Sequence, residues 1–232
     1  MGIWEKIKED LREPSLQDPA FNSRIELFFN YPGVWAIVNY RIAHFFYERN
    51  YKRIARIISG ISKFLTSVDI HPGASIGRRV FIDHAFGVVI GETAQVGDRV
   101  LIYQNVTLGG VSLDKGKRHP TLKDGVVVGA GAKILGNITI GENSKIGANS
   151  VVVKDVPCSC TAVGIPAKII GGCAKEPLSH NKIPDINKEL FCYLIDRINV
   201  LEKALLKENK SIIPPENLDE KYKSYLSSIT KE

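Results

Sequence analysis

Apolar positions change their period twice along this chain. From Trp4 to about Leu65 they recur at threes and fours with basic residues between, as in IELFFNYPGVWAIVNYRIAHFFYERNYKRIARIISGISKFLT, which predicts amphipathic helices. Pro14, Pro19 and Pro32 divide the stretch into several helices, since proline lacks the amide that a helix interior needs. Phe28, Phe29, Tyr31, Trp35 and Tyr40 cluster there and are expected in its core. From Ile70 the spacing becomes six: Ile70, Ile76 and Ile82, then after a two-residue slip Ile90, Val96, Ile102 and Leu108, then Val128, Ile134, Ile140, Ile146 and Val152. Neither the period of a helix nor that of an ordinary strand fits. A hexapeptide period predicts a solenoid of short parallel strands, three hexads to a triangular coil, with residues about 18 apart stacked roughly 4.8 Å from one another.

Several finer expectations follow. Glycine comes directly after the apolar residue at Gly77, Gly91, Gly97, Gly109, Gly129, Gly141 and Gly147, as a sharp corner after each strand requires. With uniform stacking, Asp69 falls beside position 87, three residues past His84, so the two side chains meet only across a corner. The stretch between Leu108 and Val128, GGVSLDKGKRHPTLKDGVV, is too polar and glycine-rich for a coil, and residues 109–127 are expected to loop out carrying Arg118-His119-Pro120. Beyond about Gly171 a helical stripe resumes with Leu190, Leu194, Ile198, Leu201 and Leu205, followed by a charged, Pro-containing tail. The domain organisation read from these changes is a helical region 1–66, a solenoid 67–172 and a linker with a helical tail 173–232.

Composition narrows the function. The chain has 232 residues and 44% hydrophobic content, enough for a substantial core, and 31 Lys and Arg against 25 Asp and Glu give a net charge of +6. No basic run with interleaved aromatics tracks a nucleic-acid backbone, which argues against nucleic acid and leaves a phosphate-bearing small molecule as the better partner. Cys158, Cys160, Cys173 and Cys192 form no CxxC pair or zinc-finger spacing and read as reduced thiols. The first residues, MGIWEKIKEDLREPSLQ, contain no apolar signal region, and no run of about 18 apolar residues occurs, so a cytoplasmic location without a membrane span is expected. Met1-Gly2 is not read as a lipidation signal, because Lys6 stands where Ser or Thr is required.

The chemistry concentrates in two places. DHAFGVVIGE, residues 83–92, sits at the slip in the repeat, and RHP sits in the excursion. Together with DIHPGASIG, QNVTLGGV, VGAGAKILGNITIGENSKIGANSVVVKDVP, GIPAKII and, upstream, QDPAF and RIAHF, these segments resemble the serine O-acetyltransferases among the hexapeptide acyltransferases, over about Asp18 to Gly172. The resemblance implies a left-handed parallel β-helix preceded by helices and assembled about a threefold axis, to which the leucine stripe adds a C-terminal helix. That hand departs from the usual right-handed crossover.

The implied activity is acetyl transfer from acetyl-CoA to the hydroxyl of L-serine, giving O-acetylserine and CoA, the first step of cysteine biosynthesis from serine. A hydroxyl is a poor nucleophile until a base draws off its proton, and an imidazole serves near neutral pH when a carboxylate fixes its tautomer. By the resemblance His84 is that base, Asp69 its carboxylate and His119 a second imidazole beside the substrate. Asp18, Asp83, Arg118 and His119 meet the amino acid, the acids its ammonium and the arginine fork its carboxylate. Gly110, Ala130 and Ala148 form a ridge of small residues for pantetheine, and Lys133, Lys145 and Lys168 meet the phosphates. No metal is implied. Arg118 and His119 reach the His84 of an adjacent subunit, in a homotrimer with a hexamer as the alternative, and L-cysteine is the expected feedback inhibitor. Relatives that bind O-acetylserine sulfhydrylase end in isoleucine, whereas Ile229 is followed here by three residues, which argues against that complex.

Other readings make different demands. A hexapeptide acyltransferase acting on a sugar or another small alcohol has no need of the arginine and carboxylates. A zinc β-helix carbonic anhydrase needs three convergent imidazoles, for which His71, His84 and His119 are the candidates. A non-catalytic scaffold binds no CoA. His44, His71 and His180 are otherwise read as structural.

Overall fold

A computed structural model describes residues 2–170 and 186–208. Cys173, His180 and the tail after residue 208 lie outside the described residues. The chain divides into two units, Met1–Ile183 and Pro184–Glu232.

The first unit begins with helices α1 (Ile3–Asp10), α2 (Pro14–Gln17), α3 (Glu26–Phe29), α4 (Pro32–Glu48) and α5 (Lys52–Thr66). Pro14 and Pro32 are the first residues of α2 and α4, where a missing amide costs nothing and the fixed φ favours the first turn. They begin helices as well as separating them. The aromatic cluster is not uniformly core: Tyr40 is buried, but Phe28 and Phe29 are exposed, because α3 is a single turn that packs one face on α4.

Thirteen short strands follow in strict rotation over three faces. These are β1 (Asp69–Ile70), β2 (Ser75–Ile76), β3 (Phe81–Ile82), β4 (Val89–Ile90), β5 (Gln95–Val96), β6 (Leu101–Ile102) and β7 (Thr107–Gly109). After the excursion come β8 (Thr121–Leu122), β9 (Val127–Val128), β10 (Lys133–Leu135), β11 (Thr139–Ile140), β12 (Lys145–Ile146) and β13 (Val151–Val152). The first sheet runs β1-β4-β7-β10-β13 and the second β2-β5-β8-β11, all parallel. The third runs β3-β6-β9-β12 and is extended by an antiparallel pair, β14 (Thr161–Gly164) and β15 (Ala167–Ile170). Every hexad position is buried, and with Ala36, Ile37 and Tyr40 of α4 closing one end they form a single core.

The register departs from uniform stacking in two places. Across the first coil Asp69 pairs with Val89, Ser75 with Gln95 and Phe81 with Leu101, so the slip after Ile82 lengthens that coil and places Asp69 beside 89 rather than 87. Across the excursion Thr107 pairs with Lys133 and Leu101 with Val127. The excursion is shorter than 109–127: Thr121, Leu122, Val126 and Val128 are back in the coil, and the loop is confined to residues 110–120.

The glycines after the apolar residues have a different cause from the one expected, since none of them carries a positive φ. A methyl on Gly129 would lie 2.7 Å from the Ala148 amide nitrogen, and one on Gly141 2.4 Å from that of Cys158. The next coil passes too close for a side chain. The left-handed corner residues come later in each hexad and include Arg79, Arg99, Asn105, Asn143 and Asn149.

The N-terminal helices are riveted to the corner between the second and third sheets. Arg41 is buried, pairs with Asp10 at 3.1 Å and donates to the carbonyls of Ile76 (2.6 Å) and Gly77 (2.5 Å). Arg79 pairs with Glu13 at 2.7 Å, and Arg78 with Glu9. The second unit's described part is α6 (Ile186–Glu208), on which Leu194, Ile198 and Leu201 are exposed. No helix among the described residues is long and apolar enough to cross a membrane.

Candidate active site

The slip in the repeat is a local distortion of the corner between the third and first sheets. The amide of Ala85 donates to the Asp83 carbonyl and that of Phe86 to the His84 carbonyl, both at 2.7 Å, closing two successive three-residue turns. Their central residues, His84 and Ala85, both have φ of +57°, a conformation that costs a non-glycine residue energy and persists where surroundings enforce it. Ala85 is buried beneath the turn, and the His84 side chain is left 73% exposed.

Two carboxylates lie near that imidazole. Asp83 approaches His84 Nε2 at 3.9 Å, and burial raises its pKa against the pull of the imidazole. Asp18, in the segment after α2, accepts from the Tyr31 hydroxyl (2.7 Å) and the Ala20 amide (2.8 Å), and these two donors hold its pKa below the ordinary carboxylate value. The field of Asp18 is felt at Asp83, Tyr31 and Tyr103, and that of His84 at Asp18, so the five side chains form one electrostatic cluster. Two carboxylates beside one histidine are thus pushed in opposite directions, the arrangement that assigns different tasks to like groups. Asp69 lies beside the exit of the turn, with Ser67 O accepting from Gly87 and the Asp69 amide donating to Val88 O. Its carboxylate pairs with Lys63 at 2.6 Å. A cleft of about 530 Å³ opens there between Phe64, Asp69 and Val89.

The same corner continues up the solenoid. The Asn105 amide donates to Phe86 O, the Gly131 amide to Gln104 O and the Asn149 amide to Ala130 O. Gln104, Ala130 and Ala148 therefore stack below one another, and His84 stands at the head of the column, about 14 Å from Ala148 at the usual strand spacing. Gln104 Oε1 is buried with no hydrogen-bond partner among the described residues. Lys133, on the first sheet, reaches back to Asn105, while Lys145 and Lys168 lie on the third sheet. The three lysines flank this corner. Gly110 does not join the ridge: it follows β7, at the corner between the first and second sheets.

That other corner holds the second cluster. Thr93 organises the loop: its hydroxyl accepts from the amides of Arg118 (3.0 Å) and His119 (3.2 Å), and its carbonyl from Lys117 Nζ (2.6 Å). His119 is 8% exposed, and its Nδ1 accepts the Thr93 amide at 3.2 Å, which places the proton of the neutral ring on Nε2. Burial, with Arg118 and Lys117 nearby, lowers its pKa. Arg118 pairs with Glu92 at 2.6 Å, and Tyr47 and His71 border the same group. Within one chain His84 stands at a different corner from His71 and His119, so the three imidazoles do not converge there. Spacing alone does not single out Tyr103, Glu92, Thr93 and Gln104, since each acquires its place only through contacts across coils, and it reads Tyr31 as core although its hydroxyl serves Asp18.

Residues 119–154 match the bacterial transferase hexapeptide family, six repeats. Serine acetyltransferase from Synechococcus elongatus is 51% identical over 205 residues, 88% of this chain and 84% of that one. The Bacillus subtilis serine acetyltransferase is 49% identical over 214 residues, covering 91% and 98%. Among solved structures, the Neisseria gonorrhoeae serine acetyltransferase in complex with serine aligns with a TM-score of 0.69 at 44% identity, over 73% of this chain and 69% of that one. A serine acetyltransferase complex with cysteine gives 0.71 at 43% identity, over 73% and 70%, and one with CoA gives 0.68 at 43%, over 72% and 70%.

Proposed function

The chain belongs to the serine acetyltransferase family, and from that premise we propose how its two corner clusters carry the acetyl group of acetyl-CoA to the hydroxyl of L-serine. The product is O-acetylserine, the first intermediate from serine to cysteine. The observation that carries the reading is the third-to-first corner, which puts an exposed histidine near two carboxylates of opposite tendency and at the head of the column Gln104, Ala130 and Ala148.

Pantetheine lies along Ala148, Ala130 and Gln104 with its thioester at the head of the column. Lys133, Lys145 and Lys168 take the phosphates. Serine lies with its ammonium at Asp18 and Asp83 and its hydroxyl at His84. The imidazole removes the hydroxyl proton as the oxygen attacks the thioester carbonyl, and it returns that proton to the departing CoA sulfur when the tetrahedral intermediate collapses. No covalent acyl-enzyme forms. Asp69, one strand away, orients the imidazole once Lys63 yields it.

Arg118 and His119 stand at the other corner, so a second copy must bring them to His84, and we take the assembly to be a homotrimer built on a left-handed solenoid. There Arg118 receives the substrate carboxylate, the neutral His119 presents Nε2–H to the developing oxyanion, and Gly110 arrives beside them. Residues 1–66 supply Asp18 and residues 67–172 the acetyl-transfer machinery. L-cysteine, which presents the same ammonium and carboxylate, fits the serine site as an inhibitor. The test is a panel of L-serine, homoserine and simple sugars with acetyl-CoA, following CoA by mass spectrometry. Serine should turn over, and turnover of sugars alone would overturn the reading.

A further inference from the structure

Asp18 belongs to no helix or strand, yet two donors grip it. The Ala20 amide is local, as expected where an aspartate turns the chain. The Tyr31 hydroxyl is not: it comes from the residue before α4 and takes Oδ2, leaving each carboxylate oxygen with one donor and a free lone pair.

The ring behind that hydroxyl is held on several sides. It stacks edge-on against Phe21 with centroids 5.8 Å apart and lies 6.5 Å from the Phe81 ring, over a buried patch of Val34, Phe81 and Leu101. Phe81 opens β3, two residues before Asp83. The backbone is equally constrained, because Pro32 follows directly and a methyl on Gly33 would lie 2.1 Å from the Ile82 carbonyl oxygen, so the first turn of α4 is pressed against β3. One side chain therefore fixes Asp18 relative to the strand that leads into the His84 turn.

We propose that Tyr31 is a positioning residue for the reaction, holding the Asp18 carboxylate at the distance from Asp83 and His84 that receives the substrate ammonium. This rests on the reading that Asp18 meets that ammonium. The groups facing Asp18 are Tyr31, His84, Asp83 and Tyr103. Tyr31 is the largest influence lowering the carboxyl's pKa, so removing its hydroxyl alters both geometry and protonation.

The experiment compares Tyr31→Phe, which keeps the ring, with Asp18→Asn in the full chain. In Tyr31→Phe the KM for serine should rise about 5- to 10-fold, the loss expected for one hydrogen bond to a charged acceptor at a partly exposed site. Its kcat at saturating serine and its KM for acetyl-CoA should stay within about twofold of the parent. If Asp18→Asn raises the serine KM while Tyr31→Phe leaves it unchanged, the positioning role is refuted and the ammonium contact survives. If neither variant affects serine, the ammonium contact itself fails and the proposal with it. A Tyr31→Phe variant that melts early and loses affinity for both substrates alike marks a merely structural tyrosine.

Discussion

Replacing Gly91 with alanine should disable the enzyme through His119, although Gly91 has no side chain to react. Its added methyl carbon would lie 2.0 Å from His119 Cδ2 and 2.1 Å from Nε2. Carbon atoms in contact sit about 3.5 Å apart, so the ring must retreat by about 1.5 Å. It cannot do so freely, since Nδ1 is bonded to the Thr93 amide and lies 2.9 Å from its hydroxyl. The backbone is held as well, with the Gly91 amide on Leu108 O and its carbonyl accepting from Ala94. Misplacing a reacting group by about 1 Å can cost on the order of 100-fold in rate, and Gly91→Ala should lose about that much in kcat/KM. Overpacking should also cost about 1–3 kcal/mol of stability. The assay pairs CoA release, read by mass spectrometry, with thermal melting of Gly91→Ala, His119→Ala and the double variant. Without the imidazole the methyl has room, so the double variant should melt no lower than His119→Ala alone. Activity of Gly91→Ala within about threefold of the parent would refute the reasoning, as would a double variant that keeps the full destabilisation.

Two further outcomes follow from the electrostatics. Arg41→Met leaves the buried Asp10 carboxylate and two carbonyls without their donor and should cost about 3–5 kcal/mol in a denaturant titration, part of it restored by adding Asp10→Asn. Burial holds His71 and His119 below the ordinary imidazole pKa of 6.5, so the folded chain binds protons less readily than the unfolded one. Their contribution is complete above that value and is lost as pH falls through it. The melting temperature should therefore drop from about pH 7.5 to about pH 5.5, and His71→Gln should flatten the drop.

Much of the scaffold is legible from spacing alone, because a hexad position such as Ile134 or Leu108 has one environment, the buried interior of a coil. Leu122 shows where spacing misleads: it stands six residues before Val128, but polar neighbours hide it, and the loop is drawn too long. Uniform stacking misplaces Asp69 by two residues because it ignores the slip that Ile82 and Ile90 themselves display. Gly77 and Gly141 are found for the wrong reason, since sequence shows a recurring glycine but not the coil that passes over it. In the site, DHAFG and RHP announce themselves as motifs. Tyr31 and Glu92 do not, for each matters through a partner 13 or 26 residues away. Approximate spacing assigns Gly110 to the ridge, whereas strand order puts Gln104 there.

The central claim is that the His84 turn performs general-base acetyl transfer to serine. Its most direct test is the initial rate of CoA release from acetyl-CoA with L-serine, measured for the parent and for His84→Ala at matched saturation. Robust turnover is expected in the parent and a loss of about 100- to 10,000-fold in the variant, with its fold and melting temperature unchanged. A His84→Ala protein that acetylates serine at the parental rate would contradict it.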